Sequence, residues 1–192
     1  MKSNVFIISG PSGAGEDSVI KGLKKHLNIE RVITTTTREM RPGESQGRPY
    51  YFISKEEFKK GVKNGDFFEW AEEDNNNFYG VTRKEIERAK NHVEFSPRGG
   101  AVIWKVDYKG VITIKKTLPE AVAIMISAPA DILEKRIRNR DKVSEEFVRE
   151  RMEYAKGWER NKKFFDYIIE NKEGKLNKTI SKVAEIIKKN LK

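Results

Sequence analysis

Short apolar runs alternate with helical patterns along most of the chain. Val5-Phe6-Ile7-Ile8 ends in Ser-Gly-Pro and predicts a buried strand. Apolar residues then recur at helical spacing from Val19 to Leu27. Further strands are predicted at Ala101–Asp107, at Glu120–Pro129 and in the segment YIIEN that ends at Asn171. Strands that alternate with helices indicate an α/β fold with a parallel sheet covered by helices on both faces.

The remaining helices are predicted from the same periodicity. Glu85–Lys90 and Ala130–Arg138 read as helices, and one apolar stripe from Ile180 to Leu191 predicts a C-terminal helix. The segment HVEFSPRGGA, residues 92–101, predicts an irregular loop between two of these elements.

The stretch from Thr34 to Arg83 has a different character. It is polar, aromatic and rich in turn residues, with the segments RPGESQGRPYYF and EEDNNNFYG. We interpret it as an inserted lobe with short strands and one helix near Lys55–Asn64.

Composition narrows the class of protein. The chain has 192 residues, enough for one α/β domain with an inserted lobe. It contains no cysteine, which excludes disulfides and thiolate metal sites, and only two histidines. The opening apolar run is too short for a signal peptide or a membrane span, so we expect a cytoplasmic protein without membrane contact. The net charge of +10 suits an anionic partner without identifying one.

A glycine loop follows the first strand and precedes the first helix. Gly10 and Gly15 have the spacing of the phosphate-binding pattern G-x-x-x-x-G-K-[ST], and strand, loop and helix is the context that this pattern requires. Where the lysine and the hydroxyl should follow, the chain has Glu16 and Asp17. The candidate residues for ATP binding are Gly10, Pro11, Ser12, Gly13, Ala14, Gly15, Glu16, Asp17 and Ser18.

The segment Thr36–Ile53, TTREMRPGESQGRPYYFI, resembles the signature of guanylate kinases. The matching residues are Arg38, Arg41, Glu44, Gly47, Tyr50 and Phe52, and the segments FFEWAEE, FYG and VDYKG continue the likeness in order. The resemblance covers nearly the whole chain. It implies a P-loop NTPase-type parallel sheet with an inserted mixed NMP-binding lobe and a helical lid. It also implies transfer of a phosphoryl group from ATP to GMP with Mg²⁺.

The resemblance implies three parts of a single domain and their boundaries. The core would comprise residues 1–33, 84–135 and 153–192, the NMP-binding lobe residues 34–83 and the lid residues 136–152.

The lobe carries the residues that the resemblance assigns to GMP. Arginine offers planar paired donors to phosphate, and a carboxylate accepts from both N–H groups on one edge of guanine. The candidates are Thr34, Arg38, Arg41, Tyr50, Glu69, Tyr79 and Asp107. One departure is Val81, which stands where the family commonly has a serine or threonine, with Thr82 next.

The lid carries Arg136, Arg140 and Arg151, which fall where the family's arginines close over the triphosphate. Taken without that context, they read as a solvated basic helix that pairs with Glu145, Glu146 and Glu150. The resemblance also implies that Asn171 lies near the adenine.

Lys105 suggests how the missing lysine is replaced. The family usually has an acid at this position, two residues before the aspartate of VDYKG, so the acid and the lysine have exchanged places between positions 105 and 16. Residues 105 and 107 would lie on the same face of a strand beside the glycine loop. The expected catalytic residues are Lys105, Arg38, Arg136, Arg140 and Arg151, and the expected Mg²⁺ ligands are Asp17, Ser18 and Asp107.

Two other functions remain open at this stage. Glu16 and Asp17 would have only a structural role if they simply cap the N-terminus of a helix, where carboxylates are favoured. In that case the loop no longer binds ATP. The chain would then be an inactive guanylate-kinase-like module that holds a phosphopeptide or a nucleotide through Arg38, Arg41 and Tyr50. Nucleic-acid binding has the weakest support, because it rests on net charge alone.

Overall fold

A five-stranded parallel sheet forms the centre of the molecule. The computed structural model describes residues 2–72, 76–94, 96, 100–140 and 143–192, with Arg140 described only as the end of a helix. The strands are β1 (Val5–Ser9), β2 (Ile29–Arg31), β3 (Thr35–Thr36), β4 (Tyr51–Phe52), β5 (Phe67–Glu72), β6 (Phe78–Thr82), β7 (Ala101–Trp104), β8 (Val122–Ser127) and β9 (Tyr167–Glu170). The central sheet has the order β2-β7-β1-β8-β9.

Seven α-helices lie within the described residues. They are α1 (Glu16–Leu23), α2 (Lys55–Asn64), α3 (Arg83–Glu94), α4 (Tyr108–Thr117), α5 (Ala130–Arg140), α6 (Glu145–Arg160) and α7 (Leu176–Asn190), with a short 3-10 helix at Lys162–Phe164. The helix predicted near Lys55–Asn64 is confirmed, and its first turn has a capping box between Ser54 and Glu57.

Strand β1 shows how the sheet is buried on both faces. Phe6 and Ile8 pack in one apolar cluster with residues of α1 and α7, and Val5 and Ile7 pack in a second cluster with residues of α3 and α4. Alternate side chains of a strand point to opposite faces, so an unbroken apolar run is what a doubly covered sheet requires. The predicted fold class is confirmed.

A second sheet lies within residues 35–82 and has the order β4-β3-β6-β5. It pairs β3 with β4 in parallel and β6 with β3 and β5 antiparallel. Its own apolar cluster consists of Phe58, Phe67 and Phe78, with the Phe58 and Phe67 rings stacked at 4.2 Å. The strands fall inside the interval predicted for an inserted lobe, and the three-part division of the domain remains a prediction.

Two predicted segments end differently in the structure. Strand β7 ends at Trp104, and Asp107 is the N-cap of α4, with its side chain accepting a hydrogen bond from the Gly110 N–H. The prediction that Lys105 and Asp107 share a strand face is therefore wrong, because a helix cap ends the extended run. The loop predicted at residues 92–101 is wrong at its start, since α3 continues through Glu94, and residues 95 and 97–99 of it lie outside the described residues.

Within the described part of the chain, no helix is both long enough and apolar enough to cross a membrane.

Candidate active site

The glycine loop connects β1 to α1 at the carboxyl edge of the central sheet. Gly13 and Gly15 have φ of +88° and +92°, a region that residues with a Cβ rarely adopt. Gly15 is the N-cap of α1, and no side chain caps the helix there. The loop therefore presents a helix N-terminus, whose partial positive charge favours an anion.

Lys105 reaches this loop from the neighbouring strand. Strands β1 and β7 are parallel, so the segment that follows Trp104 leaves the sheet beside the glycine loop. The Lys105 Nζ lies 2.5 Å from Asp17 Oδ2 and 3.4 Å from Glu16 Oε1. Lys105 keeps only 26% of its side chain exposed. The structure therefore places a cation at the first turn of α1, where the loop has none of its own.

Arg31 is a second cation at this point, which the sequence analysis missed. Its Nη2 lies 3.5 Å from Asp17 Oδ1, and it ends strand β2 two strands away from the loop. No motif contains Arg31, and the strand order of the sheet is what brings it to Asp17.

Arg136 and Asn171 hold the glycine loop through hydrogen bonds to its backbone carbonyls. The Arg136 guanidinium donates to the carbonyls of Gly13 and Asn171, at 3.1 Å each. Asn171 is 4% exposed, and its Nδ2 donates to the Ala14 carbonyl at 2.8 Å. Thr179 donates in turn to Asn171 Oδ1. In the structure these side chains hold the loop, while contact of Asn171 with adenine remains a prediction.

Arg38 is a candidate for binding the phosphate of GMP, and it contacts Glu44 and two aromatic rings. Its Nη2 donates to both carboxylate oxygens of Glu44, at 2.9 and 3.0 Å, and its guanidinium lies 5.6 Å from the Tyr50 ring and 5.4 Å from that of Phe52. The hydrogen bonds from Arg38 and from the Arg41 N–H lower the pKa of Glu44. Arg38 is thus oriented by a carboxylate and two rings, a geometry that suits a planar donor facing a phosphate.

Glu69 lies on β5, directly across from Val81 on β6. Val81 is fully buried. Burial and the nearby charge of Asp107 raise the pKa of Glu69 to about 7. The hydroxyl of Thr82 accepts a hydrogen bond from the Glu85 N–H and so caps α3. The position after Gly80 therefore supplies no hydroxyl beside Glu69.

Asp107 faces the same region from the start of α4. Its Oδ1 accepts from the Gly110 N–H at 2.8 Å, and its Oδ2 accepts from the Tyr154 hydroxyl at 2.5 Å. Sequence analysis missed Tyr154, which lies on α6. Its spacing of four residues from Trp158 on a highly charged helix was the available signal, because an aromatic pair at i and i+4 marks a packed face.

The other candidate residues are distributed around these groups. Thr34 directly precedes β3, and Tyr79 on β6 lies edge-on to Tyr50 with 6.1 Å between ring centres. Ser18 is exposed on α1. The Arg151 guanidinium lies 5.0 Å from the Phe147 ring on α6. The side chain of Arg140 lies outside the described part of the chain, so its prediction is not placed.

The donor set near the loop fits a magnesium ion that is held largely by its substrate. Carboxylates are hard oxygen ligands, and Mg²⁺ commonly takes one or two of them together with waters and phosphate oxygens. Among the described residues, no three Asp, Glu, His or Cys side chains are grouped closely enough to form a protein-only metal cage. Asp17, with the Lys105 ammonium at 2.5 Å from Oδ2, already accommodates a positive charge.

Comparisons with known proteins identify the family of the chain. A model of the guanylate kinase family matches residues 2–190 of the chain. The guanylate kinase of Carboxydothermus hydrogenoformans is 39% identical over 174 residues, which are 88% of this chain and 81% of that protein. That of Idiomarina loihiensis is 35% identical over 188 residues, 96% of this chain and 85% of that protein.

A solved structure gives the same result. The crystal structure of guanylate kinase from Anaplasma phagocytophilum superposes with a TM-score of 0.71 at 26% identity, covering 98% of this chain and 86% of that one. The chain belongs to the guanylate kinase family and is a kinase.

Proposed function

We propose that the protein transfers the γ-phosphoryl group of ATP to GMP, giving ADP and GDP, with Lys105 in place of the missing loop lysine. The observation that carries this proposal is the Lys105 ammonium at the first turn of α1, 2.5 Å from Asp17 and 3.4 Å from Glu16. Without Lys105, the carboxylates of Glu16 and Asp17 in the first turn of α1 would repel a triphosphate. Two unit charges about 4 Å apart interact by about 4 kcal/mol at an effective dielectric of 20, so the sign of the nearest charge matters.

Lys105 and Glu16 support an active loop together. The ion pair holds the ammonium at the loop, and the flexible lysine stem lets it turn toward the β- and γ-phosphates when they arrive. Phosphoryl transfer needs positioning and charge neutralisation rather than a covalent intermediate. Arg136 holds the loop from α5, and Arg140 and Arg151 would meet the triphosphate from the lid.

Mg²⁺ is the metal that this donor set suits. Asp17 and Asp107 would hold it, with Ser18 as a further oxygen ligand, and the ion would neutralise charge on the phosphates.

The binding site for GMP combines two sets of residues, one for its phosphate and one for its base. Arg38, Arg41, Tyr50 and Tyr79 would hold the monophosphate. Glu69 would accept from the two guanine N–H groups and Thr34 would donate to the guanine carbonyl. A site that hydrogen-bonds its substrate discriminates strongly, because the wrong base leaves buried groups unpaired.

A coupled assay of ADP release tests the proposal, with ATP, Mg²⁺ and each of GMP, AMP, CMP and UMP. We expect turnover with GMP well above the other three, and Glu69→Gln should reduce that preference. Equal turnover of AMP and GMP by the parent would contradict the base assignment. Binding of GMP or a phosphopeptide without ADP release would instead indicate an inactive binding module.

A further inference from the structure

Tyr154 contacts Asp107 but has no role in the function proposed above. Its hydroxyl donates to Asp107 Oδ2 at 2.5 Å, across 47 residues of sequence. The other oxygen of Asp107 accepts from the Gly110 N–H. Both oxygens of this carboxylate are therefore engaged, one by its own helix α4 and one by helix α6.

The contact is supported by close packing of the two helices. The Tyr108 and Tyr154 rings lie 5.3 Å apart, and a Cβ at Gly157 would come within 2.8 Å of the Tyr108 ring. Such a distance is shorter than real side chains allow, so α6 approaches Tyr108 this closely only with glycine at position 157. The position of the Tyr154 hydroxyl is thus set by packing as well as by its hydrogen bond.

Helix α6 connects two regions of the site. Arg151, which we expect to meet the triphosphate, lies one turn before Tyr154 on this helix, and residues three apart share a face. Asp107 lies close enough to Glu69 for its charge to raise the pKa of that carboxyl. A shift of α6 therefore acts on the donor side through Arg151 and on the acceptor side through Tyr154.

We propose that Tyr154 is a positioning residue of the acceptor site, which fixes the Asp107 carboxylate near Glu69 and so couples helix α6 to the binding of GMP. This inference rests on the proposed function, because it takes Glu69 as the carboxylate that binds GMP, with Asp107 as its charged neighbour. If an ATP analogue that contacts Arg151 favours the position of α6 in which Tyr154 bonds Asp107, it should strengthen GMP binding, and GMP should strengthen binding of the analogue by the same factor.

The test compares two hydroxyl deletions in the same ring pair. Tyr154→Phe removes the donor to Asp107 and keeps the ring. Tyr108→Phe is the matched control, since its hydroxyl makes no hydrogen bond with another described residue. Calorimetry measures the Kd of GMP for the parent and both variants, with and without a non-hydrolysable ATP analogue and Mg²⁺. Thermal unfolding of all three proteins measures any general loss of structure.

We expect Tyr154→Phe to weaken GMP binding about tenfold in the presence of the analogue, as for loss of a hydrogen bond to a charged group. The factor by which the analogue lowers the Kd of GMP should also become smaller in Tyr154→Phe. Tyr108→Phe should behave as the parent in both measurements. In an Asp107→Asn background, Tyr154→Phe should add less than about twofold, because the two residues act as one unit.

Equal Kd values for Tyr154→Phe and Tyr108→Phe, or full additivity with Asp107→Asn, would overturn the inference. Turnover of the parent is measured separately. A parent that binds GMP but forms no GDP overturns the proposed function and leaves the Kd comparison decisive for Tyr154. A parent that binds no GMP overturns both.

Discussion

Lys105 carries a positive charge to a place where the chain itself supplies carboxylates. Its ammonium lies 2.5 Å from Asp17 and 3.4 Å from Glu16, and the cluster contains Arg31 as well. Lys105→Met keeps the side-chain volume and removes only the charge. We expect kcat to fall about a hundredfold or more with little change in the free energy of unfolding, because a group that neutralises transferring phosphate acts mainly in the reacting complex. Steady-state kinetics and urea unfolding measure the two quantities.

The control for this variant is Lys116→Met, which removes an exposed lysine of α4. The exchange of Glu16→Lys with Lys105→Glu should recover more activity than either single change, since coupled charges are not additive. Lys105→Met with the parent's kcat would show that Lys105 has no part in the transfer.

Glu69 has a pKa of about 7, against an ordinary value of 4.5, so it holds its proton in the folded protein over a range where the unfolded chain has lost it. Folding then favours the protonated form, and its contribution to stability is complete below pH 4.5 and lost as pH rises through 7. Glu69→Gln removes this dependence. We expect its stability relative to the parent to increase between pH 4.5 and pH 8 by up to about 3 kcal/mol, from 1.36 kcal/mol per pKa unit. Urea unfolding at both pH values measures the change.

The same pKa predicts how binding depends on pH. If Glu69 binds guanine as proposed, binding needs its carboxylate form, so the KM for GMP should fall as pH rises from 6 to 8 in the parent. In Glu69→Gln that fall should be reduced to the part that the phosphate of GMP contributes. A stability difference between parent and variant that is the same at pH 5 and pH 8 would show that Glu69 is already ionised at pH 5.

Helix α5 carries two arginines that make different kinds of contact. Arg136 donates to the carbonyls of Gly13 and Asn171, whereas Arg138 pairs with Glu134 and Glu145 at the surface. Arg136→Met should lower the free energy of unfolding by about 2 kcal/mol, as for partly buried bonds from a charged donor, and should lower kcat about a hundredfold. Arg138→Met, the matched control, should change both quantities little, because exposed ion pairs stabilise weakly. Similar losses in the two variants would contradict a bracing role for Arg136.

Elements with a strong apolar period were predictable, and their ends were not. The apolar runs at β1 and β8 and the stripe of α7 dominate their segments, so burial alone decides them. The end of β7 depends on Asp107, whose side chain bonds the Gly110 N–H and starts a helix. A cap of this kind ends a run of strand-forming residues. The prediction that Lys105 lies in a strand is wrong for this reason.

Local motifs predicted part of the site, and contacts between distant elements supplied the rest. The arginines of the lobe lie within one signature and were found from it. Arg31 and Tyr154 join the site through strand order and helix packing, with no motif of their own. Lys105 was found only because its charge departs from the usual pattern of the family.

The two sheets of the molecule are joined where the chain passes between them. It enters the second sheet after β2, through Val32 and Ile33, and returns from β6 directly into α3. Glu85 lies at both passages. Its Oε1 accepts from the Ile33 N–H at 2.9 Å, and its own N–H donates to the Thr82 hydroxyl. Arg88 holds the same carboxylate with two bonds of 2.8 Å, and only 3% of the Glu85 side chain is exposed.

Among the described residues, the second sheet and helix α2 share one small buried apolar cluster, which consists of Phe58, Phe67 and Phe78. A core this small rarely holds a fold without further attachment, so we expect the lobe to depend on Glu85. Glu85→Ala should cost about 3 kcal/mol of stability, because it leaves Arg88 without its most buried partner and the Ile33 N–H unpaired. Hydrogen exchange should then accelerate more at the amides of β3, β5 and β6 than at those of β1 and β8.

Glu87→Ala is the matched control for this prediction, since Glu87 is the exposed carboxylate two residues along the same helix. It should leave exchange unchanged in both sheets. Local opening of the lobe is distinguished from global unfolding by where exchange accelerates, because global unfolding raises it equally in both sheets. Equal acceleration across the two sheets in Glu85→Ala would mean that Glu85 stabilises the molecule as a whole, and that the lobe does not open separately about this junction.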